Sequence, residues 1–99
     1  MSLPTYDQAA LKALCDRWAV SEMSLFGSAV RSDFGVDSDV DVLVAFQPEA
    51  PWTLLDLVRM RDELSELFSR PVDLVERDAV RNPFRRKAIL EPREIVYAA

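Results

Sequence analysis

Three aspartates have the type and spacing that could bind a metal ion. Asp39 and Asp41 are separated by one valine at the start of an apolar run that is typical of a buried strand. Residues two apart in a strand project from the same face and lie about 7 Å apart, so these two carboxylates would stand side by side. Mg²⁺ prefers oxygen ligands and commonly takes one or two protein carboxylates together with substrate phosphates. The pair therefore predicts a site for a metal–nucleotide complex.

A third aspartate, Asp73, lies between Val72 and Leu74, where the pattern would otherwise place only packing residues. Two-metal chemistry uses ions about 3.5–4 Å apart that clamp the attacking and leaving oxygens. It needs carboxylates that bridge the ions and one more that holds the ion on the side of the nucleophile. Asp73 is the candidate for that ligand, although an aspartate in this position fits an exposed strand residue equally well.

The segment upstream of the aspartates could hold the phosphates of a nucleotide. Gly27 lets a backbone come close to a ligand, and the Ser28 hydroxyl with the N–H groups of a following helical turn could bind phosphate oxygens. Arg31, one turn further on, could add a charge-assisted contact. A Gly-Ser pair after a strand is more often a plain turn, so the order of these features along the chain carries more weight than any one of them.

The composition limits the chemistry. The 99 residues predict one domain over positions 1–99, and they contain no histidine and one cysteine, Cys15. Imidazole bases, histidine-ligated zinc and an internal disulfide are therefore excluded. The net charge of -5 argues against direct nucleic-acid binding. No apolar stretch approaches the ~20 residues that span a bilayer, and the lone cysteine fits a reducing compartment, so we expect a soluble, cytoplasmic protein.

Apolar periodicity predicts the elements that must position these residues. Helices are expected over about 6–18, 53–68 and 82–90, with a brief one at 30–32, and strands over 22–26, 39–46 and 72–75. Residues 93–97 are expected to form a last strand or an extended tail. Thr53 fits the N-cap of the longest helix, and Asn82 fits the N-cap of the last one. Strands alternating with helices imply an α/β (α+β) fold in which helices cover a small sheet.

The order and spacing of the motif residues resemble the DNA polymerase β-like nucleotidyltransferase superfamily. Its signature is an apolar residue, Gly, Gly or Ser, a gap of roughly nine to thirteen residues, and then Asp-apolar-Asp/Glu-apolar. The chain has Phe26-Gly27-Ser28, ten intervening residues and Asp39-Val40-Asp41-Val42, so the match is complete. Within the superfamily, almost the whole chain is similar to the minimal nucleotidyltransferases, which are called MNT domains.

The resemblance implies a mixed sheet with Asp39 and Asp41 as ligands of two Mg²⁺ ions. Asp73 would complete the metal and catalytic site and help to activate the incoming hydroxyl. The residues that the resemblance places at the nucleotide and its phosphates are Gly27, Ser28, Arg31 and Ser38.

The resemblance also implies a partner. Many MNT proteins are similar to antitoxins encoded beside a HEPN-family ribonuclease, and some silence that toxin by attaching AMP to a tyrosine. We therefore expect a Mg²⁺-dependent enzyme that moves AMP from ATP to a hydroxyl of a HEPN toxin. Two alternatives stay open: an antitoxin that neutralises its partner by binding alone, and a small-molecule nucleotidyltransferase of the aminoglycoside type. Homo- or hetero-oligomers are open too, because nothing in the sequence fixes stoichiometry.

Overall fold

The computed structural model describes residues 6–27, 39–77 and 93–99. Within these ranges the elements are, in chain order, α1 (Gln8–Arg17), β1 (Val20–Phe26), β2 (Val40–Phe46), α2 (Leu54–Phe68), β3 (Val72–Glu76) and β4 (Glu94–Ala98). The strands form one sheet in the order β3-β2-β1-β4. β1 is antiparallel to both of its neighbours, whereas β2 and β3 are parallel. The expected mixed sheet with covering helices is confirmed.

The observed elements follow the predicted ones to within two residues, and the differences of two residues are at the starts of α1 and β1. This strand begins at Val20 rather than at Glu22, because Val20 is fully buried and pairs with Phe46 across a bulge in the register. A bulge interrupts the regular alternation of side chains, which hides the first residues of the strand from a periodicity analysis. The helices expected at 30–32 and 82–90 lie outside the described residues.

Helix α2 has the start that its sequence predicts. Thr53 is its N-cap, and Thr53 and Asp56 form a capping box in which each side chain accepts a hydrogen bond from the backbone N–H of the other. The last helical residue is Phe68, and the C-cap that follows it, Ser69, has a left-handed backbone with φ 55°. With 15 residues α2 is the longest helix in the described ranges, and none of the helices there is long and apolar enough to cross a membrane.

Helix α1 is held at its start by Asp7, whose carboxylate accepts hydrogen bonds from the backbone N–H groups of Ala9 and Ala10 at 2.9 and 3.2 Å. Such a cap satisfies donors that have no partner within the helix. The helix buries Leu11 and Leu14, which are three residues apart and so share one face. This face packs on the sheet together with the buried face of α2.

Strand β2 separates the two faces of the sheet. Val40, Val42 and Val44 belong to the buried core that the helices cover. Because side chains alternate along a strand, Asp41 and Leu43 project from the opposite face, which we call the site face. In the motif Asp39-Val40-Asp41-Val42, the valines therefore anchor the strand in the core, and the aspartates project from the site face.

Candidate active site

The parallel pairing of β2 with β3 brings two of the predicted carboxylates together. Asp41 is the register partner of Asp73. Residues directly opposite each other in a parallel pair project from the same face, and neighbouring strands are about 4.8 Å apart. The side chains of Asp41 and Asp73 are therefore neighbours on the site face, although 31 residues separate them in the sequence.

The third carboxylate, Asp39, lies directly before the first residue of β2. The backbone at this point is held in place because the N–H of Val40 donates to the carbonyl oxygen of Pro71 at 2.9 Å. Asp39 is two residues from Asp41, so the alternation of the strand directs it to the site face as the sequence predicts. Asp39 and Asp73 are exposed, whereas Asp41 is half-buried.

Gly27 contacts the carboxylate of Asp41. Phe26, the last residue of β1, pairs with Asp41, and the chain then turns at Gly27 with φ +60°. A Cβ atom built on Gly27 would overlap Asp41 Oδ2 and lie 3.2 Å from Asp41 Cγ. Glycine is therefore required here for two reasons, its left-handed backbone and the space taken by the carboxylate. The sequence predicts Gly27 beside phosphate; the structure shows that it also makes room for a candidate metal ligand.

The electrostatics of this arrangement favour a bound cation. Asp73 is exposed, and two negative charges about 5 Å apart in water repel each other by about 1 kcal/mol. A divalent cation between the carboxylates of Asp41 and Asp73 would remove this repulsion. The donors are all hard oxygens, the type that Mg²⁺ prefers.

The three carboxylates do not form a closed ligand cage. Within residues 6–27, 39–77 and 93–99, no group of three or more Cys, Asp or Glu side chains is placed to hold a metal ion. Mg²⁺ usually takes only one or two protein carboxylates and completes its shell with water and substrate phosphates. The donor set therefore fits a Mg²⁺ ion that arrives with a nucleotide, and the three-ligand site stays a prediction.

Three residues that the sequence assigns to the nucleotide, Ser28, Arg31 and Ser38, lie outside the described residues. Their roles at the nucleotide therefore stay predictions. The described part of the motif is the end of β1 with Gly27 and the start of β2 with its two aspartates.

An ion-pair cluster on the site face was not predicted. Glu22 in β1 accepts from Arg77 Nη1 at 2.9 Å and from Arg93 Nη1 at 3.4 Å, and Arg93 Nη1 also lies 3.4 Å from Ser24 Oγ. Arg77 directly follows β3 and Arg93 directly precedes β4, so the cluster ties the ends of both strands to β1. No local pattern signals such contacts, because Glu22 is 55 residues from one arginine and 71 from the other.

The chemistry available at the site is that of carboxylates. The chain has no histidine, so a proton released at this face must go to a carboxylate or to water. Metal ions held by such carboxylates neutralise the charge that develops on phosphate oxygens. The geometry therefore suits transfer of a phosphorus-containing group, with Asp41 and Asp73 beside each other and Asp39 at the entrance of β2.

Comparisons with known proteins agree with this geometry. Residues 8–96 match the profile of the nucleotidyltransferase domain family. Protein adenylyltransferase MntA of Thermococcus cleftensis is 37% identical over 86 residues, which make up 87% of this chain and 82% of that protein. The structure of a candidate minimal nucleotidyltransferase is 34% identical, with a TM-score of 0.69 over 89% of this chain and 85% of that one.

A more distant structural similarity is to a complex of a tri-AMPylated HEPN toxin with an MNT antitoxin from Shewanella oneidensis. The TM-score is 0.65, and the match covers 93% of this chain and 70% of that chain. The sequence identity is 14%, so this similarity establishes a shared fold and nothing more.

Proposed function

Because the chain belongs to the nucleotidyltransferase domain family, we propose that it transfers AMP from ATP to a tyrosine hydroxyl of a HEPN toxin and thereby silences that toxin. The observation that carries the proposal is the register of Asp41 with Asp73 beside Gly27, at the family's motif. The kind of acceptor is supported by the relative named protein adenylyltransferase and by the AMPylated HEPN toxin in the structurally similar complex.

The proposed reaction is a displacement at the α-phosphorus of ATP. The acceptor oxygen forms a bond to that phosphorus, the bond from phosphorus to the oxygen that bridges to the β-phosphate breaks, and pyrophosphate leaves with the electron pair. The proton of the acceptor hydroxyl passes to Asp73, the carboxylate that is not part of the Asp39–Asp41 pair. Asp39 and Asp41 would hold Mg²⁺, which would supply charge neutralisation at the phosphate oxygens.

Each carboxylate has a separate task in this proposal. Asp41 is half-buried and fixed by its contact with Gly27, so it can hold a cation at a defined position. The side chains of Asp39 and Asp73 are exposed, so the nucleotide and the acceptor have access to them. The closeness of Asp73 to Asp41 lets one face of the sheet serve both the metal and the incoming hydroxyl.

The test is the transfer of label from α-³²P-ATP to a purified HEPN protein from the same genome, with and without Mg²⁺. The parent is compared with the Asp39→Ala/Asp41→Ala variant. Asp62→Ala is the matched control, because it removes an exposed aspartate on α2, away from the site face. We expect labelling by the parent and by the control, and a loss of at least about 100-fold in the double variant.

Two results would change the proposal. Equal labelling rates in the parent and in a folded Asp39→Ala/Asp41→Ala variant would show that the assigned carboxylates do not carry the reaction. The parent and the double variant could instead both block the ribonuclease activity of the HEPN protein without labelling it. That result would favour the alternative in which the chain neutralises its partner by binding alone.

A further inference from the structure

A pocket of about 290 Å³ lies at the end of the sheet opposite to the carboxylates. Its lining includes Phe46, Pro48, Trp52 and Leu57, together with Glu49 and Glu76. Phe46 is the last residue of β2, five residues beyond Asp41. At about 3.3 Å per residue these two are about 17 Å apart. Glu76 is about 10 Å from Asp73 along β3 and projects from the opposite face of the sheet, so the pocket is separate from the candidate active site.

The walls of the pocket are fixed in place by hydrogen bonds. The indole N–H of Trp52 donates to the carbonyl oxygen of Trp18 at 2.7 Å, and the two indole rings pack with their centroids 4.7 Å apart. The backbone N–H of Gln47 donates to the carbonyl oxygen of Ala19 at 2.8 Å. The loop that follows β2 is thus tied to the end of α1 and the start of β1, so a ligand would meet a preformed surface.

One wall residue has a strained backbone. Glu49 has φ 69°, in the left-handed region that favours glycine or asparagine. Strained residues cluster at binding and catalytic sites, although the same conformation also occurs in this chain at Ala19 and at the helix end Ser69. At Glu49 the side chain contributes a carboxylate, and Glu76 at the end of β3 adds a second. None of the described residues that line the pocket is basic.

An exposed apolar surface continues from the pocket along α2. Leu57 lines the pocket, and Leu54 is a neighbour of both Leu57 and Val58 on the helix surface because it is three residues from one and four from the other. Leu54 is 79% exposed and Val58 is 37% exposed. The pocket is thus acidic and aromatic within, and aliphatic on the helix beside it.

We infer that the pocket is a docking site for a protein partner, which inserts an arginine side chain between Trp52 and the two glutamates and lays an aliphatic neighbour on Leu54 and Val58. Charge complementarity selects this occupant, because the pocket has two carboxylates and the whole chain has a net charge of -5. A planar guanidinium stacks on aromatic rings and pairs with carboxylates, which a simple apolar side chain cannot do.

The size of the pocket leaves room for an inserted side chain together with neighbouring atoms of the partner. Its volume of about 290 Å³ is near the lower end of the roughly 300–1,000 Å³ that is usual for small-molecule sites. The inference rests on the proposed function only in taking the partner to be a protein. It adds that the partner is held at one end of the sheet while its hydroxyl is modified at the other.

The first test uses the purified chain alone. N-acetyl-Arg-Leu-amide is titrated in the millimolar range and followed by ¹H–¹⁵N NMR, with the indole N–H of Trp52 as reporter and that of Trp18 as comparison. N-acetyl-citrulline-Leu-amide is the uncharged control of the same shape. The Glu49→Gln/Glu76→Gln variant removes the pocket charges, and Asp62→Asn/Glu66→Gln removes the same charge from the exposed surface of α2.

The expected result is saturable shifts at Trp52 and Leu57 with the arginine peptide, and at least about tenfold weaker binding for the pocket variant than for the surface variant. Equal binding to both variants, equal binding of the citrulline peptide, or shifts confined to other parts of the chain would each overturn the inference. These results do not depend on AMP transfer, so they are separable from a failure of the proposed function.

The second test asks whether the pocket serves the reaction. With a HEPN acceptor, Glu49→Gln/Glu76→Gln should raise the KM for that protein by at least about tenfold and leave kcat and the KM for ATP unchanged, because Glu76 projects from the face of β3 opposite to Asp73. An unchanged KM for the acceptor, or a change confined to kcat, would overturn the docking role.

Discussion

The contact between Gly27 and Asp41 allows a sharp test of the site by the substitution Gly27→Ala. An alanine at φ +60° costs about 1–2 kcal/mol because the backbone is left-handed. Its methyl group would also overlap Asp41 Oδ2, and overpacking of this kind typically costs about 1–3 kcal/mol. The sum, about 2–5 kcal/mol, lies below or near the lower end of the 5–15 kcal/mol that stabilises most domains, so a folded population should persist at 25 °C.

The same substitution should impair the reaction more than it impairs folding. The carboxylate must move by about 1 Å to regain an ordinary van der Waals separation from the new methyl group. A displacement of this size at a reacting centre costs about 100-fold in rate. We therefore expect Gly27→Ala to bind Mg²⁺ more weakly and to transfer AMP about 100-fold more slowly, at a temperature where it is folded.

A double-mutant cycle separates the two costs. Asp41→Ala removes the carboxylate but keeps its Cβ, which lies at an ordinary 3.6 Å from the position of the added methyl group. In the Asp41→Ala background, Gly27→Ala should therefore cost only the backbone contribution of about 1–2 kcal/mol in urea denaturation. An equal cost in both backgrounds, or unchanged Mg²⁺ affinity in Gly27→Ala, would refute the assignment of Gly27 as the residue that makes room for the carboxylate.

Three further predictions concern stability. Without divalent cations, Asp73→Asn should be more stable than the parent by about 1 kcal/mol in urea denaturation, because it removes repulsion with Asp41, and Mg²⁺ should stabilise it less; a loss of stability would contradict this. Glu49→Gly should gain about 0.5–1 kcal/mol, since glycine relieves the left-handed strain at some entropic cost; an unchanged urea midpoint would count against it. Burial raises the pKa of the Cys15 thiol from 9.0 to about 12, so the free energy of unfolding should fall as pH rises through that interval, and this fall should be smaller in Cys15→Ala.

Local features of the fold could be predicted from the sequence because they depend on residues close together in the chain. Thr53 caps α2 as expected, since a capping box needs only residues three apart. Because side chains alternate along a strand, the sequence predicts that Asp39 and Asp41 project from one face and Val40 from the other. The apolar run also predicts a buried strand, and the valines of β2 do lie in the core.

Features that depend on pairing between distant segments could not be predicted in this way. The sequence nominates Asp73, but only the parallel register of β3 with β2 puts it opposite Asp41 rather than one residue away on the other face. The ion pairs of Glu22 with Arg77 and Arg93 likewise depend on how strand ends meet. Glu49 in a left-handed conformation runs against local preference and is maintained by the surrounding loop.

The central claim is that the carboxylates of this chain attach AMP to a partner protein. The most direct test is peptide mass spectrometry of the HEPN protein after co-expression with the parent or with Asp41→Asn, a variant of nearly the same shape that keeps the packing against Gly27. The account predicts AMP on a HEPN tyrosine with the parent and an unmodified partner with Asp41→Asn. Equal AMP modification of the partner by both proteins would contradict it.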